Sequence, residues 1–79
     1  MFFVYILRSK KDKSYYVGLT EDIKSRVKEH NLGLSKYTRT RIPWKLIWFC
    51  AFANKNRAAE FEKYLKNGSG IAFMKKRLV

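Results

Sequence analysis

FFVYILRSKKDKSYYVGLT, residues 2–20, decides the fold. Phe2 to Leu7 is rich in β-branched and aromatic residues, Ser9 to Lys13 interrupts with polar and charged ones, and Tyr15 to Leu19 is apolar again. This pattern predicts a β-hairpin. An even number of residues separates Tyr5 from Tyr16, so a symmetric two- or four-residue loop centred on Lys10 and Lys11 sets the two directly opposite. Both phenols then share one face of the sheet, unless a one-residue bulge moves one of them to the other. Two facing aromatics also stabilise any small sheet, so the pair alone says nothing about chemistry.

Outward from the hairpin, Thr20 followed by Glu21 and Asp22 reads as a helix N-cap with acids in the first turn, and Ile23, Val27 and Leu34 supply a rough apolar stripe. The helix runs from about Asp22 to Asn31, and Gly33 ends it. Leu34 to Pro43 is a polar loop in which Lys36, Arg39 and Arg41 surround Tyr37. Trp44 to Phe52 is a third strand, too continuously apolar to be half exposed throughout, so helices must cover both its faces along part of its length. Asn54 or Asn56 caps a second helix from about Arg57 to Asn67, with Ala58, Phe61 and Leu65 on its apolar side and Gly68 after its end. Gly70 to Leu78 forms a short last helix with Ile71, Met74 and Leu78 in step. No repeat, low-complexity tract or linker divides the chain. The expectation is one α+β domain over residues 1–79, a three-stranded antiparallel sheet flanked by three helices in the order β-β-α-β-α-α.

The composition narrows the partner. Eighteen Lys and Arg against six Asp and Glu give a net charge of +12 on 79 residues, a self-repelling excess that makes sense against a polyanion. Nucleic acid, DNA before RNA, is the expected partner. There is no long basic amphipathic helix for a membrane surface and no stretch long enough to span one. The single cysteine, Cys50, excludes an internal disulfide, and it sits in the apolar run Leu46 to Phe52, where an inert buried thiol is expected. The apolar start Met1 to Leu7 is short and followed, not preceded, by Arg8, Lys10 and Lys11, the reverse of a signal peptide. A cytoplasmic protein, monomeric rather than oligomeric, is expected.

With one His and one Cys, no zinc site of those ligands can be built. No serine or cysteine carries a local activation signature, no glycine-rich loop cradles phosphate, and no Asp cluster supports two metals. A single hard cation remains open, because one carboxylate can hold Mg²⁺ when substrate phosphate and water complete the octahedron. Glu62 is the acid to consider. Its helical neighbours Ala58, Phe61 and Leu65 place it on the inward side, although it can equally snorkel outward or pair with Lys66 one turn on. Arg26 and His30, spaced i, i+4, lie beside the inward Ile23 and Val27. The bland account pairs Arg26 with Asp22 and leaves His30 as a polar residue near a helix end.

Taken together these residues resemble the paired signature of the GIY-YIG endonuclease superfamily. VYI at Val4 to Ile6 is followed by YVG at Tyr16 to Gly18. Arg26 then lies on the first helix, His30 one turn later, then Asn31 with Gly33, and Glu62 on a later helix. Ala58, Glu62 and Lys66 followed by NGSGIAF are similar to the C-terminal part of the small stand-alone bacterial members. Val4 and Val17 stand where the signature has glycine and isoleucine; both tyrosines are kept.

The resemblance implies a divalent-metal-dependent phosphodiester hydrolase. In that reading Glu62 holds one Mg²⁺ or Mn²⁺ ion, Arg26 hydrogen-bonds the phosphoryl oxygens, and a tyrosine deprotonates or orients the attacking water. Tyr5 is the first choice as base and Tyr16 its support, with Arg26 as the cation that would pull a phenol down from its usual ~10. His30 would contact phosphate or assist proton transfer. Lys36, Arg39, Arg41 and Lys66 would grip backbone phosphates, and Tyr37 could stack on a base. Two alternatives stay open: a non-catalytic nucleic-acid-binding module with the same fold, and a ribosome-associated protein in which the tyrosines are only packing.

Overall fold

The computed structural model describes residues 1–79, and in it β1 (Phe2–Ser9) and β2 (Tyr15–Thr20) form the expected antiparallel hairpin. Its register differs from the symmetric expectation. Tyr5 lies opposite Gly18, and Tyr16 opposite Leu7, so the turn is centred on Lys11 and Asp12. Turn chemistry is the cause. The Ser9 hydroxyl accepts the N–H groups of Lys11 and Asp12 at 3.1 and 3.2 Å and donates to the Arg41 carbonyl at 2.6 Å. Asp12 accepts from the Ser14 N–H at 3.0 Å, and Lys13 takes the left-handed conformation at φ 65° that closes the turn. A shift by an even number of residues keeps every side chain on its face, so the two phenols still share one side, ring centroids 6.3 Å apart.

Gly18 explains how they meet. The Tyr5 ring lies flat across β2 at this residue, and a Cβ there would collide with the Tyr5 Cζ, Oη and Cε1 atoms. Since Tyr5 is only 1% exposed, the ring has nowhere to go. Gly18→Ala should therefore cost about 1–3 kcal/mol through overpacking, read as a lower midpoint in urea or thermal unfolding.

β3 (Trp44–Phe52) pairs with the other side of β1, giving the order β2-β1-β3. β1 is thus the central strand, and Val4, Tyr5, Ile6 and Leu7 are all at most 1% exposed, which accounts for its unbroken apolar run. Val4, Ile6 and Val17 pack against Ala58 and Leu65 of α2 (Lys55–Leu65) and Met74 of α3 (Gly68–Arg77). On the opposite face Tyr5, Leu7 and Trp44 pack with Tyr16, Leu46 and Val27 of α1 (Ile23–Asn31). The partial cover expected for both faces of β3 is present, Trp44 and Leu46 lying on the α1 side and Trp48, Cys50 and Phe52 on the side of α2 and α3, although β1 is the more completely buried strand. β3 is an edge strand, fully buried only at Trp44 and 52% exposed at Phe49.

Side-chain caps set the helix limits. Asp22, rather than Thr20, is the N-cap of α1 and accepts from the Ser25 N–H at 3.1 Å; Thr20 accepts the Asp22 N–H one step earlier. No acid occupies the first turn. Asn54 caps α2 and Asn67 caps α3, so α2 begins and ends before the expected Arg57 and Asn67, and Asn67–Gly68 opens the last helix. Gly33, at φ 78°, closes α1 as expected. No helix is long and apolar enough to cross a membrane.

Candidate active site

His30 organises the site. It ends α1 on the face turned toward the sheet, has no exposed surface, and is held at both ring nitrogens, Nδ1 2.7 Å from Thr38 Oγ1 and Nε2 2.9 Å from the Tyr5 hydroxyl. Thr38 is equally buried, and its carbonyl accepts the Trp44 indole N–H at 2.9 Å. Asn31 closes the circuit: its Oδ1 accepts the Trp44 N–H at 2.6 Å and its Nδ2 donates to the Trp44 carbonyl at 3.0 Å. The loop after α1 is thereby strapped over the imidazole, and no buried side-chain polar atom is left without a partner. His30 is thus more than a polar residue near a helix end: it is fully buried and bonded at both nitrogens.

Burial, and after it the Arg26 charge, hold the His30 pKa below the usual 6.5. The unfolded chain takes up this proton near pH ~6.5 while the folded chain resists it, so the unfolded state binds more protons and stability rises with pH across that window. Stability is full above the unfolded pKa and falls as the pH drops below it. The melting temperature should decline from about pH 7 to about pH 5, and His30→Gln should flatten that decline. An unchanged slope in the variant would contradict the assignment.

Around this post stand the other four residues. The Tyr5 phenol is pushed up to about 12, chiefly by burial and next by Tyr16, with a weaker push from Glu62, while Arg26 works in the opposite direction. Tyr16, Arg26 and Glu62, from β2, α1 and α2, thus all act on the one phenol of β1. The direction of the shift is the opposite of what a general base requires. Tyr16 is half-buried, edge-on to His30 with centroids 4.9 Å apart, and Lys66 Nζ stands 5.7 Å above its ring. Arg26 pairs with Glu29 at 3.6 Å, not with Asp22, and stays 35% exposed. Glu62 is neither fully inward nor free: its side chain is 23% exposed and accepts from Lys66 Nζ at 3.1 Å.

The basic loop divides in two. Lys36, Tyr37 and Arg39 point to solvent, Tyr37 at 75% exposure. Arg41 does not: its guanidinium donates to the Tyr37 carbonyl at 2.7 Å and to Ser14 Oγ at 3.3 Å, and stacks 5.4 Å over Trp44. It braces the loop against the hairpin. Sequence reasoning missed Thr38 and Trp44, whose roles arise from a fold-back that leaves no periodic signal. No cluster of three His, Cys, Asp or Glu side chains is present. The Glu62 carboxylate could serve as a single protein donor to a hard cation that takes its remaining ligands from phosphate and water.

Compared with known protein families, residues 1–76 match the GIY-YIG catalytic domain. The chain is 48% identical to a UPF0213 protein of Clostridium perfringens, over 84% of this chain and 71% of that protein. It is 45% identical to a UPF0213 protein of Streptococcus pneumoniae over 81% of this chain and 65% of the relative, so it spans about two thirds of the length of such relatives. The solution NMR structure of a UPF0213 protein from Bacillus halodurans matches 99% of this chain and 87% of its own, at 35% identity and a TM-score of 0.58.

Proposed function

The chain belongs to the GIY-YIG catalytic-domain family, a family of nucleases, and from that premise we propose that it is a divalent-metal-dependent endonuclease hydrolysing phosphodiester bonds of DNA. The observation that carries this reading is the meeting of the Tyr5 and Tyr16 rings, centroids 6.3 Å apart, with Lys66, which stands over Tyr16 while holding Glu62 at 3.1 Å, and with Arg26 acting on the Tyr5 phenol from α1. Hydrolysis needs an oriented water, neutralised phosphoryl charge and help for the leaving oxygen. Tyr16, half-exposed, is the phenol that can reach the water. Arg26 donates to the non-bridging phosphoryl oxygens. Tyr5 stays protonated and, fixed by His30, shapes the floor of the site.

Glu62 is the residue that would hold Mg²⁺ or Mn²⁺, and the ion when bound supplies charge neutralisation at the phosphoryl and leaving oxygens. Lys66 must first release the carboxylate. That costs little, since the pair is partly solvated, with Lys66 49% exposed. The freed ammonium then faces the substrate phosphate. The free Cys50 suits a reducing compartment, and we take the protein to be cytoplasmic and monomeric.

Incubating the purified protein with nicked, branched and single-stranded DNA and with RNA, with and without Mg²⁺ or Mn²⁺, tests the reading. Metal-dependent cleavage of DNA is expected. Tight binding with every substrate left intact would assign the chain to the non-catalytic alternative. The exposed loop cations should set the grip: replacing Lys36 and Arg39 with Gln should lower the slope of log affinity against log salt by roughly 0.9 for each phosphate no longer neutralised, whereas Arg41→Gln should lower stability.

A further inference from the structure

A concavity of about 460 Å³ runs along the open edge of β2, between that strand and the ends of α2 and α3. Its size falls within the ~300–1,000 Å³ of small-molecule sites. Leu65, Ile71 and Met74 contribute to its floor and Lys13, Lys66 and Lys75 to its rim; no acidic side chain lines it. Tyr16 and Lys66 belong both to this groove and to the candidate active site, so the two are continuous. Tyr15 adds a second ring, already covered by Arg8 at 5.6 Å on one side.

We propose that this groove takes an unstacked, single-stranded segment of DNA next to the scissile phosphate. The claim rests on the nuclease reading for its position beside the cleaved bond, and on the groove itself for its chemistry. A duplex presents rigid phosphate ridges and keeps its bases stacked inside, so it can meet the lysine rim but cannot fill an apolar hollow. A single strand can do both: its backbone follows the lysines while a base enters the hollow against the tyrosine rings. The +12 net charge and the acid-free lining complement such a strand. Lys13 and Lys75 are exposed and engaged in no ion pair, and Ile71 keeps 38% exposure although its neighbour Met74 is buried.

Fluorescence anisotropy without divalent ion separates binding from cleavage. The probes are a blunt DNA duplex, the same duplex with a short single-stranded tail, and the same tail made of abasic residues, which keeps the phosphates and removes the bases. The base-bearing tail should bind about tenfold tighter than the abasic one, the effect of about one stacked base. Ile71→Asp should erase that difference while the blunt duplex binds within about twofold of wild type. Lys13→Asn, on the opposite rim and suited to the left-handed turn position, should weaken both tails alike; an unchanged melting temperature shows that each variant is folded. Equal binding of the two tails by the wild type would overturn the proposal. So would a base-dependent gain that survives Ile71→Asp, or a concentration-dependent dimer lost in that variant, which would give the groove to a second copy of the chain. Base-dependent tail binding by a protein that cuts nothing would refute the nuclease reading and leave the groove standing.

Discussion

Glu62→Gln should lower metal-dependent cleavage on the order of a thousandfold and leave metal-free DNA affinity unchanged or slightly improved. The substitution keeps the size of the side chain and an oxygen for Lys66, so packing on α2 is preserved. It removes the only carboxylate among the groups that converge on the Tyr5 phenol. No cluster of three His, Cys, Asp or Glu side chains is present to hold a cation in its place. Affinity should not suffer, because the lost charge is negative and one of only six acids facing eighteen cations. Single-turnover cleavage and anisotropy, run on the same DNA, check both halves. Parallel losses of cleavage and affinity would show that Glu62 maintains the binding surface and does not serve the chemistry.

How far the sequence reaches is clearest in the hairpin. The shared face of Tyr5 and Tyr16 was legible because side-chain parity survives any even shift of register. The register itself was not, because Ser9 and Asp12 gather the turn's N–H groups and move its centre, and such bonds leave no mark on hydrophobic periodicity. The element order followed from composition, while helix limits depended on which of several Asn and Asp residues caps: Asp22, Asn54 and Asn67. His30 was the harder case. Its burial comes from Thr38 and Trp44 closing over it, a contact set by the loop's path and invisible in the helical pattern of α1. Arg41 shows the same limit for charge: counted as a phosphate grip, it directs its donors to Tyr37 and Ser14. Glu62 lay between the two readings, placed beside the site by its stripe and drawn to Lys66 by its i, i+4 spacing.

The two tyrosines should separate in a way that their near-symmetric placement conceals. Tyr16→Phe should reduce the cleavage rate by about 10²–10⁴, the range for losing a general acid–base or water-orienting group, with little change in stability, because the Tyr16 ring keeps its edge contact with His30 and its place beneath Lys66. Tyr5→Phe should do more damage to the fold. It removes the hydroxyl that satisfies His30 Nε2 at 2.9 Å and strands that nitrogen in a site with no exposed surface. The penalty is about 1–3 kcal/mol, read as a lower unfolding midpoint. Any rate loss in this variant should be the smaller one at a temperature where both proteins are folded, because a phenol pushed up to about 12 remains protonated at neutral pH and cannot take the water's proton. The pH dependence gives a second reading. If Tyr5 were the base, activity would climb toward its raised pKa and Tyr5→Phe would abolish the climb. A profile left unchanged by Tyr5→Phe and removed by Tyr16→Phe assigns the water to the phenol at the open edge of β2, and leaves the buried one as the link between that edge and the His30–Thr38 strap.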